Sequence, residues 1–233
     1  MAFVSFAAKI GLMASFIACS ASAGFAQDIG YLDLTTPAPR MPTRSSKRFS
    51  GGPCVGTGDG PVTSPDATIT LISLDKSTYS LEEEITFEVK IENSGKETIE
   101  IPWTPDLAAL EPSDQTEYFS YRSASFVITL TVPDSDHYLF ITGFSYGSTD
   151  LPGTIRQLRP SQSFVVRARG KSNVYDSWWS EKLKDSAPLT VKAVAGVVLS
   201  RDTETQDMRS EVCIPLTKKI ANQLDIILWP ASR

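Results

Sequence analysis

In ITFEVKIE, residues 85–92, Ile85, Phe87, Val89 and Ile91 alternate with Thr86, Glu88, Lys90 and Glu92. A period of two sends successive side chains to opposite faces of a strand, so this run buries its apolar set only as part of a sheet. The cluster NSGKE that follows is turn-forming, and TIEIPW resumes the alternation, so residues 85–103 read as a hairpin with antiparallel pairing. Related runs recur at 67–74, 126–132, 137–142, 163–170, 189–199, 211–216 and 224–229. About nine strands in one unit of this length, with no internal repeat, predict an all-β fold. The expected architecture is an antiparallel two-sheet immunoglobulin-like sandwich over residues 67–233. Two segments do not fit: 104–125 is long for a loop, and 171–188 has room for a short helix. Long connections often carry function, which makes both of them candidates.

The first 26 residues carry one charge, Lys9, then an apolar run from Ile10 to Ala18 and a series of small residues. This is the anatomy of a signal peptide. The run is shorter than the roughly 20 residues a membrane-spanning helix needs. Cleavage fits after Ala21-Ser22-Ala23 or after Gly24-Phe25-Ala26, and a periplasmic or secreted protein is expected. In the alternative, Ile17-Ala18-Cys19 is a lipobox and Cys19 becomes the acylated N-terminus of a lipoprotein. Residues 27–66 are crowded with Pro, Gly, Ser and Thr and lack an apolar period, so a linker or weakly structured arm is expected there. Its GTGDG stretch has no strand before it and no helix pattern after it, as a phosphate loop requires.

Two of the three cysteines, Cys54 and Cys213, remain after export, the number that one disulfide needs. An oxidising compartment makes their pairing the default. Removal of Lys9 leaves 21 basic against 27 acidic residues, a net charge of −6, which disfavours general nucleic-acid binding. No cofactor motif is present.

Gly143-Phe144-Ser145-Tyr146-Gly147 has the form G-x-S-x-G of a nucleophile elbow. That motif requires a strand, a tight turn, a helix and a histidine later in the chain. Here the sequence runs on into Ser148-Thr149-Asp150-Leu151-Pro152-Gly153, which is turn-forming, and the single histidine, His137, precedes Ser145 by roughly 25 Å if the strand is extended at about 3.3 Å per residue. The pentapeptide therefore reads as a Gly-rich strand connection, and His137 as a strand-end residue. One histidine and two cysteines do not make the usual zinc sets. Asp134-Ser135-Asp136 lacks the spacing of a calcium loop and reads as a polar turn. Carboxylate pairs for glycoside hydrolysis are too numerous among 27 acidic residues for sequence to choose one.

LDKSTYSLEEEITFEVKIENSG, residues 74–95, resembles the opening strands of bacterial immunoglobulin-like and macroglobulin-like modules. Asp75, Lys76, Tyr79, Glu83 or Glu84, Ile85, Phe87, Val89, Asn93 and Gly95 fit the pattern. Leu81-Glu82 stand where it has its turn glycine. Leu158-Arg159-Pro160-Ser161-Gln162-Ser163-Phe164 is similar to the L-x-P-G-E turn of such domains and of the bacterial intracellular proteinase inhibitors, with Ser161 replacing the glycine. The immunoglobulin Cys-Trp-Cys spacing is absent. The resemblance implies a sandwich and carries little about function.

Tyr175, Trp178 and Trp179 are the candidate binding residues. Such rings offer large rigid contact area with a polar handle, suited to a protein or glycan surface. Adjacent tryptophans cannot both face inward on a strand, so one plugs the core or a short helix tucks both over an open sheet end. The expected function is that of an exported non-catalytic module binding a protein or glycan of the cell envelope. The alternatives are a hydrolase with loop-borne carboxylates and a proteinase inhibitor presenting residues 104–125.

Overall fold

The computed structural model describes residues 27–35, 64–106, 110, 122–172, 177–184, 187–204 and 209–230. Over these residues the protein is an all-β sandwich. One sheet has the order β1-β9-β4-β2-β12, built from β1 (Gln27–Leu34), β2 (Asp66–Leu74), β4 (Glu84–Asn93), β9 (Gln162–Lys171) and β12 (Thr217–Ile220). The other has the order β3-β13-β10-β6-β7, from β3 (Thr78–Ser80), β6 (Arg122–Thr131), β7 (Tyr138–Gly147), β10 (Leu189–Glu204) and β13 (Leu224–Trp229), with β11 (Arg209–Pro215) paired to the far end of β10. A two-stranded ribbon joins β5 (Ile99–Pro102) to β8 (Ile155–Leu158). The one helix among the described residues is α1 (Ser177–Lys182).

The alternation in β4 does what its period demands. Ile85, Phe87, Val89 and Ile91 share one buried core with Ile128, Leu130, Ile141 and Ala193 of the other sheet, and Phe126 meets Phe164 edge to face at 6.3 Å. Each such side chain contributes about 1.5–3 kcal/mol by leaving water.

The central ladders are antiparallel, but the expected wholly antiparallel pairing fails at the margins. β1 runs parallel to β9, β12 to β2 and β3 to β13. The 85–103 hairpin does not form either. Both edges of β4 are taken, by β2 and β9, so β5 has no ladder open to it there and pairs with β8. Asn93 carries the chain across: its buried amide donates to Glu97 O (2.7 Å) and Leu158 O (2.8 Å), while its Oδ1 accepts from Gly95 N–H (3.0 Å).

Residues 27–34, expected within the arm, form strand β1. Its alternation is hidden by a register irregularity between Asp28 and Tyr31, where Gly30 takes φ 135°. Leu32 and Leu34 nevertheless enter the core. Residues 1–26, residues 36–63 of the arm with GTGDG and Cys54, and most of 104–125 lie outside the described residues.

Of the residues that carry the resemblance, Ile85, Phe87 and Val89 lie in β4 and the polar ones before them make a turn. Tyr79, buried, donates its hydroxyl to Asp75 Oδ1 (2.8 Å) and accepts from Lys76 N–H (2.8 Å), while Asp75 Oδ1 also accepts from Thr86 N–H (2.9 Å). Glu83 pairs with Lys76 and accepts from Ser80 N–H (2.7 Å). The two positions that lack the pattern's glycine, Glu82 and Ser161, take φ of 69° and 61°, the left-handed region glycine favours.

Candidate functional site

The G-x-S-x-G pentapeptide is neither an elbow nor a strand connection: all five residues lie within β7, in register with Arg122–Phe126 of β6. Its glycines are there for close approach. A Cβ on Gly143 would meet the Ala168 Cβ at 2.5 Å, and one on Gly147 the Thr154 carbonyl at 2.4 Å. Ser145 is fully buried and donates its hydroxyl to Pro102 O at 2.7 Å, tying β7 to the small ribbon. A hydroxyl held this way is a structural tie with no open face for a substrate.

The tryptophan pair is divided by α1. Trp179 is fully buried in the main core, packed with Leu183, and its Nε1 finds no hydrogen-bond partner among the described residues. Trp179 is therefore not a surface anchor, and that expectation is corrected: on a helix, adjacent positions point about 100° apart, so only one of the two can cap the core fully. Trp178 is half-buried at the margin of the same core. Tyr175 lies outside the described residues.

Trp178 is held on several sides. Its ring meets Trp179 edge to face at 5.2 Å, stacks on His137 at 4.4 Å with 11° between planes, and has Lys182 Nζ 6.0 Å from its centroid. A shallow depression of about 420 Å³ beside it is lined by Trp178, Glu181, Lys182, Ala187 and Leu189. Immediately after His137 in the chain, Tyr138 opens β7, 54% exposed, with its ring 4.9 Å from Phe140. His137 is thus more than a strand-end residue. Sequence offered no signal for its meeting with Trp178, because the two are brought together from distant segments. Asp134 takes φ 60° in the turn before it, and Ser135 Oγ accepts from His137 N–H at 3.2 Å.

A second concavity, about 480 Å³, lies between the β5–β8 ribbon and the far end of β10. Glu97, Glu100, Arg122, Gln157 and Ser200 supply its polar lining. Glu100 is occupied: Arg122 pairs with it and Gln157 Nε2 donates to it at 3.1 Å. None of these residues was singled out in the sequence, where acids are too many to rank.

No group of three or more His, Cys, Asp or Glu side chains that could hold a metal occurs among the described residues. Nor is any described helix long and apolar enough to cross a membrane. Cys213 sits on β11 opposite Ser200.

No protein-family model matches the chain, and no curated protein is similar to it. Among solved structures, the sporulation control protein Spo0M of Bacillus subtilis is similar over 66% of this chain and 49% of its own, at 12% identity and TM-score 0.27. A β-glucosidase of Paenibacillus barengoltzii is similar over 72% of this chain and 15% of its own, at 11% identity and TM-score 0.24. The chain thus spans about half of the first protein and a small part of the second. Likenesses this distant transfer no activity.

Proposed function

We propose that the protein is an exported, non-catalytic recognition module whose binding surface is the aromatic strip of Trp178, His137 and Tyr138 beside Lys182. The partner is a protein or glycan of the cell envelope. One observation carries the reading: Trp178 is half-buried and fixed in orientation by His137 on its face and Trp179 at its edge. A large ring immobilised before binding loses little rotamer entropy when a partner covers it, which is what makes such residues dominate interfaces. The signal-like residues 1–26 support export, and a Cys54–Cys213 bridge, pinning the arm to β11, belongs to the same reading. The test is a pull-down from envelope extract, run alongside a panel of envelope glycans, comparing wild type with Trp178→Ala. Loss of the captured protein or glycan is expected. Unchanged capture by a folded variant overturns the site.

A second reading, a hydrolase, is favoured by Glu97 and Glu100 lining one concavity, since two carboxylates flanking a cleft are the minimum for glycoside hydrolysis. Glu100's engagement by Arg122 and Gln157 ranks it second. Hydrolysis of envelope polysaccharide that disappears in Glu97→Gln would reverse the order.

A further inference from the structure

The outer faces of the two sheets differ in kind. On the β1-β9-β4-β2-β12 sheet the outward positions are charged and engage one another: Arg169 pairs with Glu84 (3.2 Å) and Lys90 with Glu92 (3.5 Å), and Glu88 accepts from the Tyr31 hydroxyl (3.0 Å). On the other sheet Leu130, Leu139, Ala193 and Ile226 enter the core, so the residues alternating with them point outward. One rung runs Tyr138, Thr131, Lys192, Asp225 across four strands, and the next sets Phe140 beside Thr129 and Val194. In the opposite direction Thr190 stands beside Ile227, and Trp229 follows on β13. Tyr138, Ile227 and Trp229 are 54%, 41% and 43% exposed, three large side chains in water on one face. A Cβ on Gly196 would meet nothing within 4 Å, so the face is open there. Its charged side chains among the described residues are Lys192 and Asp225, which stand opposite each other and balance.

We infer that this face binds an extended, uncharged glycan chain running from the Trp178 strip across to Trp229. The inference rests on the recognition reading and names its ligand. Size decides against a protein. At a strand spacing of ~4.8 Å and a two-residue repeat of ~6.8 Å the open platform covers about 400 Å², half of the ~800 Å² that each partner in a stable protein complex buries. Its composition agrees, because threonine and valine are under-represented among the residues that dominate protein interfaces. A glycan needs less area and different chemistry. A sugar ring presents an apolar C–H face, which a large apolar side chain covers, and a rim of hydroxyls that both donate and accept, which a threonine hydroxyl matches in both roles. The register supplies the two together: Thr131 beside Tyr138, Thr129 beside Phe140, Thr190 beside Ile227. Tyr138 and Phe140 are already in ring contact at 4.9 Å, so they lose little freedom when a ligand covers them. From Tyr138 to Trp229 the platform runs about 20 Å, the length of a short oligosaccharide. It is continuous with the Trp178 site, since Leu189, which lines the depression there, immediately precedes Thr190 in β10. A balanced face suits an uncharged chain, because a charged one would give up water with no opposite charge to meet.

The test is titration calorimetry on the full chain, purified after expression in a bacterium, with β-1,4-linked oligomers of N-acetylglucosamine and of glucose as disaccharide and hexasaccharide. A hexasaccharide is expected to bind, and its disaccharide, covering only part of the platform, to bind at least about tenfold more weakly. Trp229→Ala should weaken the hexasaccharide about tenfold, as loss of a large ring contact does. Thr131→Val, which removes a hydroxyl and keeps the shape, should weaken it severalfold, and Tyr31→Ala on the charged sheet should leave it unchanged. A hexasaccharide that binds no tighter than its disaccharide, or that ignores both Trp229→Ala and Thr131→Val, overturns the platform even where Trp178→Ala abolishes binding. Oligosaccharides that fail to bind while an envelope protein is still captured through Trp178 overturn the inference and leave the recognition reading standing. Neither binding nor capture overturns both.

Discussion

The imidazole of His137 stacks on the indole of Trp178 with centroids 4.4 Å apart and planes 11° from parallel, joining the turn before β7 to helix α1. Two residues 41 positions apart in sequence thereby share one surface. Next to them, Trp179 is fully buried.

This division predicts opposite behaviour for neighbouring substitutions. Trp179→Ala empties a large core site and is expected to cost about 3–5 kcal/mol. Trp178→Ala removes a half-buried ring and should cost under ~2 kcal/mol. Urea unfolding of the two variants checks the asymmetry, and equal losses would contradict the assigned roles.

Tyr79 predicts the alkaline limit of the fold. Its burial, and then its hydrogen bond to Asp75, raise the phenol above its ordinary value of 10.0. Deprotonation is harder in the folded than in the unfolded chain, so this contribution is complete below about pH 10 and is lost as pH rises beyond it. Tyr79→Phe should flatten that alkaline decline. It should also lower neutral stability by about 1–3 kcal/mol, because Lys76 N–H and Asp75 lose a partner. Chemical denaturation at pH 8 and pH 11 separates the two effects.

Glu82 and Ser161 predict a gain. Each holds a left-handed φ that costs an L-residue about 1–2 kcal/mol, partly offset by the extra unfolded-state freedom of glycine. Ser161→Gly is expected to stabilise by up to ~1 kcal/mol, a rise in Tm of about 2–4 °C for a chain of this size. A fall in Tm would mean that the Ser161 side chain contributes something beyond this backbone geometry.

Gly143 predicts a clash with a designed relief. A Cβ there would stand 2.5 Å from that of Ala168, so Gly143→Ala should destabilise by about 1–3 kcal/mol. Adding Ala168→Gly frees the space and should recover part of the loss beyond additivity, measured as a double-mutant cycle.

The alternating runs gave away most of the inner strands, because a two-residue period with one face buried has one structural solution. What they could not give was partnership. ITFEVKIE and TIEIPW look like a hairpin until β2 and β9 are seen to occupy both edges of β4. β1 escaped notice because the irregularity at Gly30 spaces Ile29, Leu32 and Leu34 unevenly. GFSYG looked like a turn because glycine is the turn residue, whereas here Gly143 is small so that β9 can approach. The tryptophans were visible as a cluster, but their allocation needed the helix, and His137 and the Glu100–Arg122 pair are placed by tertiary contacts with no local signal.

The central claim is that recognition happens at Trp178. The most direct measurement places a photoreactive benzophenone side chain at Lys182, beside the indole, and in a second protein at Glu97, in the other concavity. Both proteins are expressed in the native envelope and irradiated. Covalent adducts to an envelope component at position 182, lost when Trp178→Ala is added and absent at position 97, are the predicted result. Adducts at 97 with none at 182 would contradict the account and move the functional site to the cleft of Glu97 and Glu100.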